Sequence, residues 1–452
     1  MARRAFGHDP SMPEEIQRTY RGRAERPEDE VRRQGPERAL VIASLEVTGD
    51  EEDDRLRELG ELLRTAGAEV IETLVQHRER PLPRTYLGTG KLEELKELVV
   101  RHKTDLVAAE GSLTPGQQRA LEDRLTTRVV DRTAIILDIF AQHARSAEGK
   151  LQVELAQLEY SYARQEGLWQ HLERLGGGVG TRGPGESQLE SDRRLVRNRM
   201  ATLRRRLRDV ARSRDTQREK RVGSATPRIA LAGYTNAGKS SLMNALSGAD
   251  VSVDDALFET LDPTTRRVEC EGHEVLLSDT VGFIRHLPHQ LVTAFSATLE
   301  EARDADLILH VADASEPEAR RADRARAVGE VLTEIGAADI PRLLVLNKVD
   351  LLPPEERLAL AYRHPDAAQV SAVTRAGLDD LEHRLAEVAR RRLVTLDVTI
   401  PYAQGGLMAA VYADGSEVTQ EATEEGTRVH ALMPAGAAAR IRTALAESAA
   451  RG

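Results

Sequence analysis

One octapeptide constrains this chain more than any other stretch. Gly233, Tyr234, Thr235, Asn236, Ala237, Gly238, Lys239 and Ser240 follow the pattern of a glycine, four residues, then Gly-Lys-Ser. A strand-like run at 228–232 precedes it, and an amphipathic run at 241–246 follows. Glycine lets successive main-chain N–H groups converge on phosphate oxygens, and the start of the following helix adds its dipole. Lys239 would bridge the terminal phosphates, and the Ser240 hydroxyl would ligate Mg²⁺. Such a loop sits on a parallel sheet, so the pattern predicts an α/β fold built around a nucleoside triphosphate.

Further segments come in the order this chemistry needs. Asp279, Thr280, Val281 and Gly282 lie directly after a strand-like run at 275–278. Asp279 can hold the Mg²⁺ shell, and the amide of Gly282 can approach a γ-phosphate because no side chain intervenes. Asn347, Lys348, Val349 and Asp350 follow a strand-like run at 343–346. A carboxylate at Asp350 accepts hydrogen bonds from the N1–H and exocyclic amine of guanine. Adenine would set a lone pair against it, so GTP is expected over ATP. Ser371, Ala372 and Val373 follow a strand-like run at 368–370, where a main-chain amide can meet the guanine O6. Between the first two motifs run Phe258, Glu259, Thr260, Leu261 and Asp262, continuing to Arg266. A threonine here should complete the Mg²⁺ shell when the γ-phosphate is present. On spacing, Thr260, Thr264 and Thr265 all qualify. Phe283 stands where many GTPases carry a glutamine that orients water. Its side chain has no hydrogen-bonding group. Intrinsic hydrolysis should therefore be slow unless a partner, K⁺ or another side chain supplies the missing stabilisation.

The remaining chain is organised around that domain. Its 452 residues are 40% hydrophobic, enough for several aliphatic cores, since aromatics make up only 3%. No run approaches 18 consecutive apolar residues and no apolar stretch follows Met1, so neither a membrane span nor a secretory signal is expected. A cytoplasmic protein is the expectation, and no feature calls for anything beyond a monomer. One cysteine, Cys270, excludes a disulfide framework and a cysteine-based zinc site. Residues 1–38 are polar and charge-dense and read as a disordered leader. Strands and helices alternate over 39–130, predicting a parallel α/β subdomain. A long helical stretch then runs from Ile135 towards Leu172, and a second covers about 186–221. Between them lies a segment with six glycines in the 11 residues from Gly176 to Glu186. Together, residues 131–221 predict a helical hairpin arm with a glycine-rich tip. Residues 227–393 form the phosphate-loop domain, and 394–452 a small α/β appendage. Gly88, Thr89, Gly90 and Lys91 resemble a fragment of a phosphate loop, but four residues are too few and a strand-to-helix turn is expected. The histidines, including His286 and His289, show no metal-ligand spacing.

The formal net charge is −10, which argues against a general nucleic-acid binder. Residues 191–221 nevertheless carry 13 Arg or Lys against four Asp or Glu, a local balance of +9.

With these motifs assembled, the chain resembles the HflX family of translation-associated GTPases over about 38–433. The resemblance rests on the segments from Tyr86 to Lys91, Asp131 to Gln142, Gly176 to Glu186, Gly233 to Ser241 and Leu261 to Arg266. It implies an N-terminal α/β subdomain with a two-helix arm, a Ras-like GTPase domain and a small C-terminal domain. It places the switch threonine at Thr260, so that Lys239, Thr260 and Gly282 are the catalytic set and Ser240 and Thr260 the Mg²⁺ ligands. It implies further that the partner is the large ribosomal subunit, that stalled ribosomes are split or rescued under stress, and that the ribosome stimulates hydrolysis. The arm tip, with Arg182, would lie near the peptidyl transferase centre. Arginines of the second arm helix would neutralise rRNA phosphates, a role that charge reversal at Arg204, Arg205 and Arg206 would test. The alternative function that the resemblance implies is an RNA-remodelling ATPase with a second nucleotide at Gly88–Lys91.

Overall fold

The computed structural model describes residues 35–175, 184–219, 226–248, 257–258, 263–285 and 296–449. The leader up to residue 34, most of the glycine-rich tip with Arg182, and Glu259, Thr260, Leu261, Asp262, His286 and His289 lie outside them. The chain divides into two compact units. One comprises Met1–Asp209, Ala256–Leu261 and Pro288–Phe295; the other comprises Val210–Asp255, Asp262–Leu287 and Ser296–Gly452.

The first unit opens with β1 (Glu37–Leu45), α1 (Asp50–Thr65), β2 (Ala68–His77), α2 (Thr89–His102), β3 (Leu106–Ala109), α3 (Pro115–Leu125) and β4 (Arg128–Asp131). The four strands are parallel, in the order β2-β1-β3-β4. Leu40 and Ile42 of β1, Val107 of β3 and Val129 of β4 are fully buried with Leu92 and Leu95 of α2 and Leu121 of α3. Helices on a parallel sheet bury its strands, which is why these read as short continuous apolar runs. Thr114 starts α3 with a reciprocal capping pair: its hydroxyl accepts the Gln117 N–H and the Gln117 side chain accepts the Thr114 N–H.

Asp131, the last residue of β4, organises the entry into the arm. Its buried carboxylate accepts from the Ala134 N–H at 2.9 Å, which caps α4 (Arg132–His143). It also accepts from the Leu113 N–H at 3.1 Å, the Tyr160 hydroxyl at 2.8 Å and Arg164 at 2.6 Å. Tyr160 and Arg164 belong to α5 (Ala147–Leu175). The single long helix expected from Ile135 is therefore two helices, interrupted at 144–146. Ala144 is extended (φ −62°, ψ 111°), and the Ser146 hydroxyl accepts the Gly149 N–H at 2.8 Å, the geometry of a new N-cap.

α6 (Pro184–Glu219) packs on α5 through a narrow apolar seam. Val196, Met200 and Leu203 of α6 bury against Leu158, with Leu151, Leu155 and Tyr162 alongside. The spacing of four and three residues keeps these side chains on one stripe of each helix. Arg194, Arg197, Arg205, Arg208 and Arg212 recur at three- and four-residue intervals on the opposite face, with Ala201 between, and all are exposed.

The second unit contains a six-stranded sheet among its described residues, in the order β10-β9-β8-β5-β7-β6. Its elements are β5 (Arg228–Gly233), α7 (Lys239–Ser247), β6 (Thr264–Cys270), β7 (His273–Asp279), α8 (Ser296–Arg303), β8 (Leu307–Asp313), α9 (Glu318–Glu334), β9 (Arg342–Asn347), α10 (Pro354–Arg363), β10 (Ala368–Gln369) and α11 (Leu378–Arg390). β6 pairs antiparallel with β7, and the other pairings are parallel. The strand order reverses around β5, so the crevice beyond its carboxyl end is the topological switch point where ligands bind in such sheets.

The remainder is β11 (Leu393–Ile400), α12 (Gly405–Asp414), β12 (Ser416–Ala422), β13 (Thr427–Pro434) and α13 (Ala435–Ala449), with an antiparallel sheet in the order β11-β13-β12. Leu396, Val429, Ala431 and Met433 face Val411, Ala438 and Ile441 from the helices. β12 is a strand that the residue pattern does not predict. Ser-Glu-Val-Thr-Gln-Glu-Ala lies at the sheet edge and is largely exposed, so it carries little apolar signal. Among the described residues no helix is long and apolar enough to cross a membrane.

Candidate nucleotide-binding site

β5 delivers the phosphate loop and α7 leaves it. Two glycines are dictated by space. A Cβ at Gly233 would lie 2.3 Å from the Val311 carbonyl oxygen, and one at Gly238 would lie 2.3 Å from the Asn347 amide nitrogen. Gly238 also takes φ +86°, and Asn236, the exposed member of the loop, takes φ +60°. Alternating signs of φ turn successive N–H groups to one side and form an anion-binding concavity.

Lys239 is buried, with its ammonium donating to the carbonyls of Gly233 at 3.2 Å and Tyr234 at 3.0 Å. Burial pushes its pKa down to about 8, partly offset by the Asp279 carboxylate. Ser240 Oγ donates to Asp279 Oδ2 at 2.8 Å. A hydroxyl and a carboxylate brought together from α7 and β7 form an all-oxygen donor set of the kind a small hard cation prefers. These residues therefore fit Mg²⁺. Among the described residues no group of three or more His, Cys, Asp or Glu is placed to hold a metal ion.

The segment after β7 lies against the phosphate loop. The Thr280 hydroxyl donates to the Leu231 carbonyl at 2.6 Å. The Phe283 N–H donates to the Gly233 carbonyl at 3.1 Å, and the Phe283 carbonyl accepts the Thr235 N–H at 2.8 Å. Val281 is buried beside them. A Cβ on Gly282 would come within 2.8 Å of Thr235 Cγ2 and 3.1 Å of Lys239 Nζ, so only glycine fits between them. Phe283 itself is fully buried. Its side chain packs in the interior, and the position offers nothing that could orient water.

The residues expected to read the base come together from β9 and the turn after β10. Asn347 Nδ2 donates to the Ala237 carbonyl at 3.0 Å, while its Oδ1 accepts the Ala372 N–H at 3.1 Å. Asn347 thereby ties the phosphate loop to the 371–373 loop. Lys348 takes φ +65° and pairs with Asp313 at 2.8 Å. Asp350 sits on the 3₁₀ turn Val349–Leu351. The amides of Ser371 and Ala372 are both engaged, by Ala376 and Asn347, so Val373, 81% exposed, is the next main-chain donor along the loop.

Of the switch segment 258–266, Phe258 and residues 263–266 are described; Phe258 and the preceding Leu257 are buried. Thr264 and Thr265 lie in β6, where Thr265 Oγ1 is 2.8 Å from Ser278 Oγ. Sequence reasoning does not reach Asp313, Arg285 or Arg324. Arg324 lies over the Tyr234 ring at 4.5 Å, and the Tyr234 hydroxyl accepts the Arg285 N–H at 2.8 Å. For Asp313 a signal exists: it is a polar residue at the carboxyl end of a buried strand. Gly88 and Lys91 stand at the start of α2, where the Gly88 N–H donates to Gln76 at 2.8 Å and Lys91 pairs with Glu94 at 3.0 Å.

A family model described as GTP-binding GTPase N-terminal matches residues 53–141, and one described as GTP-binding GTPase Middle Region matches 143–221. A third, described as 50S ribosome-binding GTPase, matches 228–348. Among curated proteins, GTPase HflX of Lacrimispora saccharolytica is 44% identical over 402 residues, covering 88% of this chain and 94% of that protein. GTPase HflX of Escherichia coli is 44% identical over 375 residues, covering 82% and 88%. Among solved structures, a GTP-binding protein from the archaeon Sulfolobus solfataricus in complex with GDP is 25% identical, with 78% of this chain and 99% of that chain covered at a TM-score of 0.42.

Proposed function

Because the chain belongs to the HflX family of GTPases and is a GTP hydrolase, we propose that it binds the large ribosomal subunit and, coupled to GTP binding and hydrolysis, splits or rescues stalled ribosomes under stress. The observation that carries this reading is the outer face of α6. Arg194, Arg197, Arg205, Arg208 and Arg212 stand exposed along it, opposite the seam that holds the helix to α5. At about 1.5 Å rise per residue the stripe runs roughly 27 Å, long enough to follow several phosphates of an rRNA backbone. Arg204 pairs with Glu159 at 2.8 Å, so its reversal would also disturb the hairpin; Arg205 and Arg208 are the cleaner probes.

In the proposed cycle the main-chain N–H groups from Tyr234 to Ser240 cradle the phosphates, and the Lys239 ammonium neutralises their charge. Ser240 and Thr260, with Asp279, would hold Mg²⁺, which would supply neutralisation of phosphate charge. The Gly282 amide meets the γ-phosphate, and Asp350 selects guanine. Phe283 leaves the attacking water without an orienting group, so the subunit is the expected source of stimulation.

Steady-state GTP hydrolysis with and without large subunits, at one fixed salt, tests this. Stimulation of about tenfold or more, abolished by Lys239→Ala, is the expected result. A rate unmoved by subunits would remove the ribosome from the reading while leaving the GTP site intact.

A further inference from the structure

The turn after β9 carries two opposite charges, Lys348 and Asp350, and they are not paired with each other. β8 and β9 run side by side with Asp313 opposite Asn347, so the carboxyl ends of both strands meet at this turn. Main-chain contacts hold it from both sides. The Asn347 carbonyl accepts the Ala314 N–H at 2.8 Å, the Val349 N–H donates to the Val370 carbonyl at 3.3 Å, and the Lys348 carbonyl accepts the Leu351 N–H at 3.1 Å. The Lys348 ammonium lies 2.8 Å from Asp313 Oδ2. The half-buried Asp350 carboxylate has no hydrogen bond or ion pair among the described residues. Asp313 is itself held in place. Its Oδ1 accepts the Ser315 hydroxyl at 2.6 Å and the Ser315 N–H at 2.9 Å, which leaves Oδ2 for the ammonium. The pair is largely buried, with the Asp313 side chain 11% and the Lys348 side chain 26% exposed, so salt and water screen it little.

We propose that Asp313 is a specificity-determining positioning residue for the guanine base, acting by holding the Lys348 ammonium away from Asp350. The inference rests on reading Asp350 as the residue that selects guanine. A carboxylate accepts from the guanine N1–H and exocyclic amine only while its lone pairs are free, and an ammonium bound to it competes for them. Lysine is a point charge on a flexible four-carbon stem, so its ammonium follows whichever carboxylate is offered. Asp313 offers one from the neighbouring strand, already aimed by Ser315. Without the Asp313 charge, the carboxylate two residues along the chain becomes the counter-ion, and the base meets a reader that is already occupied. The effect of Asp313 on the base therefore runs through Lys348.

Affinities of the full chain for GDP and for IDP, whose hypoxanthine base lacks the exocyclic amine, test this. The unaltered chain should prefer GDP by about tenfold or more, the worth of one hydrogen bond to a charged group. Asp313→Asn keeps a carbonyl oxygen for Ser315 and drops the charge. It should weaken GDP more than IDP and bring the preference down to about threefold or less. Adding Lys348→Met removes the competing ammonium and should restore the preference, whatever it does to overall affinity. A mere disturbance of the turn would weaken both nucleotides alike, and a second substitution would not repair it. An unchanged preference in Asp313→Asn, or no restoration in the double variant, would overturn the proposal. Asp350→Ala separates the two layers. If it abolishes the preference while Asp313→Asn leaves it intact, the guanine reading stands and the role of Asp313 fails; if it leaves the preference intact, both fall.

Discussion

Lys239 shows how a single buried group makes the site sensitive to pH. Its pKa of about 8 means that the folded chain loses the ammonium within a range where an unfolded chain keeps it. In the proposed cycle that ammonium neutralises phosphate charge. Affinity for GDP should be flat below about pH 8 and fall above it, by up to about tenfold per unit, in titrations between pH 7 and 9. Stability runs the other way. Above about 8 and below the ordinary lysine value the unfolded state holds more protons, so this group's contribution to stability rises with pH. A GDP affinity flat across that range would show the ammonium to be retained. At this scale the phosphate loop is highly legible in the sequence. Gly233, Gly238 and Gly282 each sit where a Cβ would collide, a constraint that leaves a literal mark in the residue type. Phe258 leaves no such mark. Its burial depends on Phe140 and His143, more than a hundred residues away, and no local pattern encodes a contact of that range.

At the scale of elements, Asp131 ties strand, helix and arm together. Asp131→Ala would leave Arg164 without its carboxylate, the Leu113 and Ala134 amides without an acceptor, and α4 without its cap. A loss of about 3–5 kcal/mol is expected by chemical denaturation, with Asp131→Asn costing less because a carbonyl oxygen remains. Little change on Asp131→Ala would mean that the apolar contacts of α4 and α5 hold the junction alone. The parallel strands β1, β3, β5, β8 and β9 are legible because each is a short apolar run between polar segments, whereas β6, antiparallel at the edge, is too polar to announce itself. The break at 144–146 is not legible, because Ala-Arg-Ser has no glycine or proline and only the Ser146 cap distinguishes it. β12 is invisible for the opposite reason: a polar edge strand has no buried face to impose alternation.

For the whole molecule, the net charge of −10 and the arginine stripe of α6 pull against each other. Overall negative charge disfavours indiscriminate RNA association, while the stripe is the place where the proposed function puts rRNA phosphates. Arg205→Glu combined with Arg208→Glu should weaken large-subunit binding and flatten its dependence on salt, with hydrolysis in the absence of subunits unaffected. Binding that keeps its salt slope would move the contact elsewhere. Leu257 and Phe258 pack with the first unit. The Leu257 N–H donates to Thr65 Oγ1 at 3.2 Å, the Phe258 ring meets Phe140 edge-on, and the Phe258 carbonyl accepts from His143 Nδ1 at 2.7 Å. This bears on how such a protein can be dissected. A fragment begun at Pro227, as the chain's linear order invites, would carry Leu257 and Phe258 away from Thr65, Phe140 and His143. Two apolar side chains that are buried in the intact chain would then face water on an excised piece. Such a piece would carry an apolar surface that the intact chain keeps covered, a site for self-association that the whole protein does not offer.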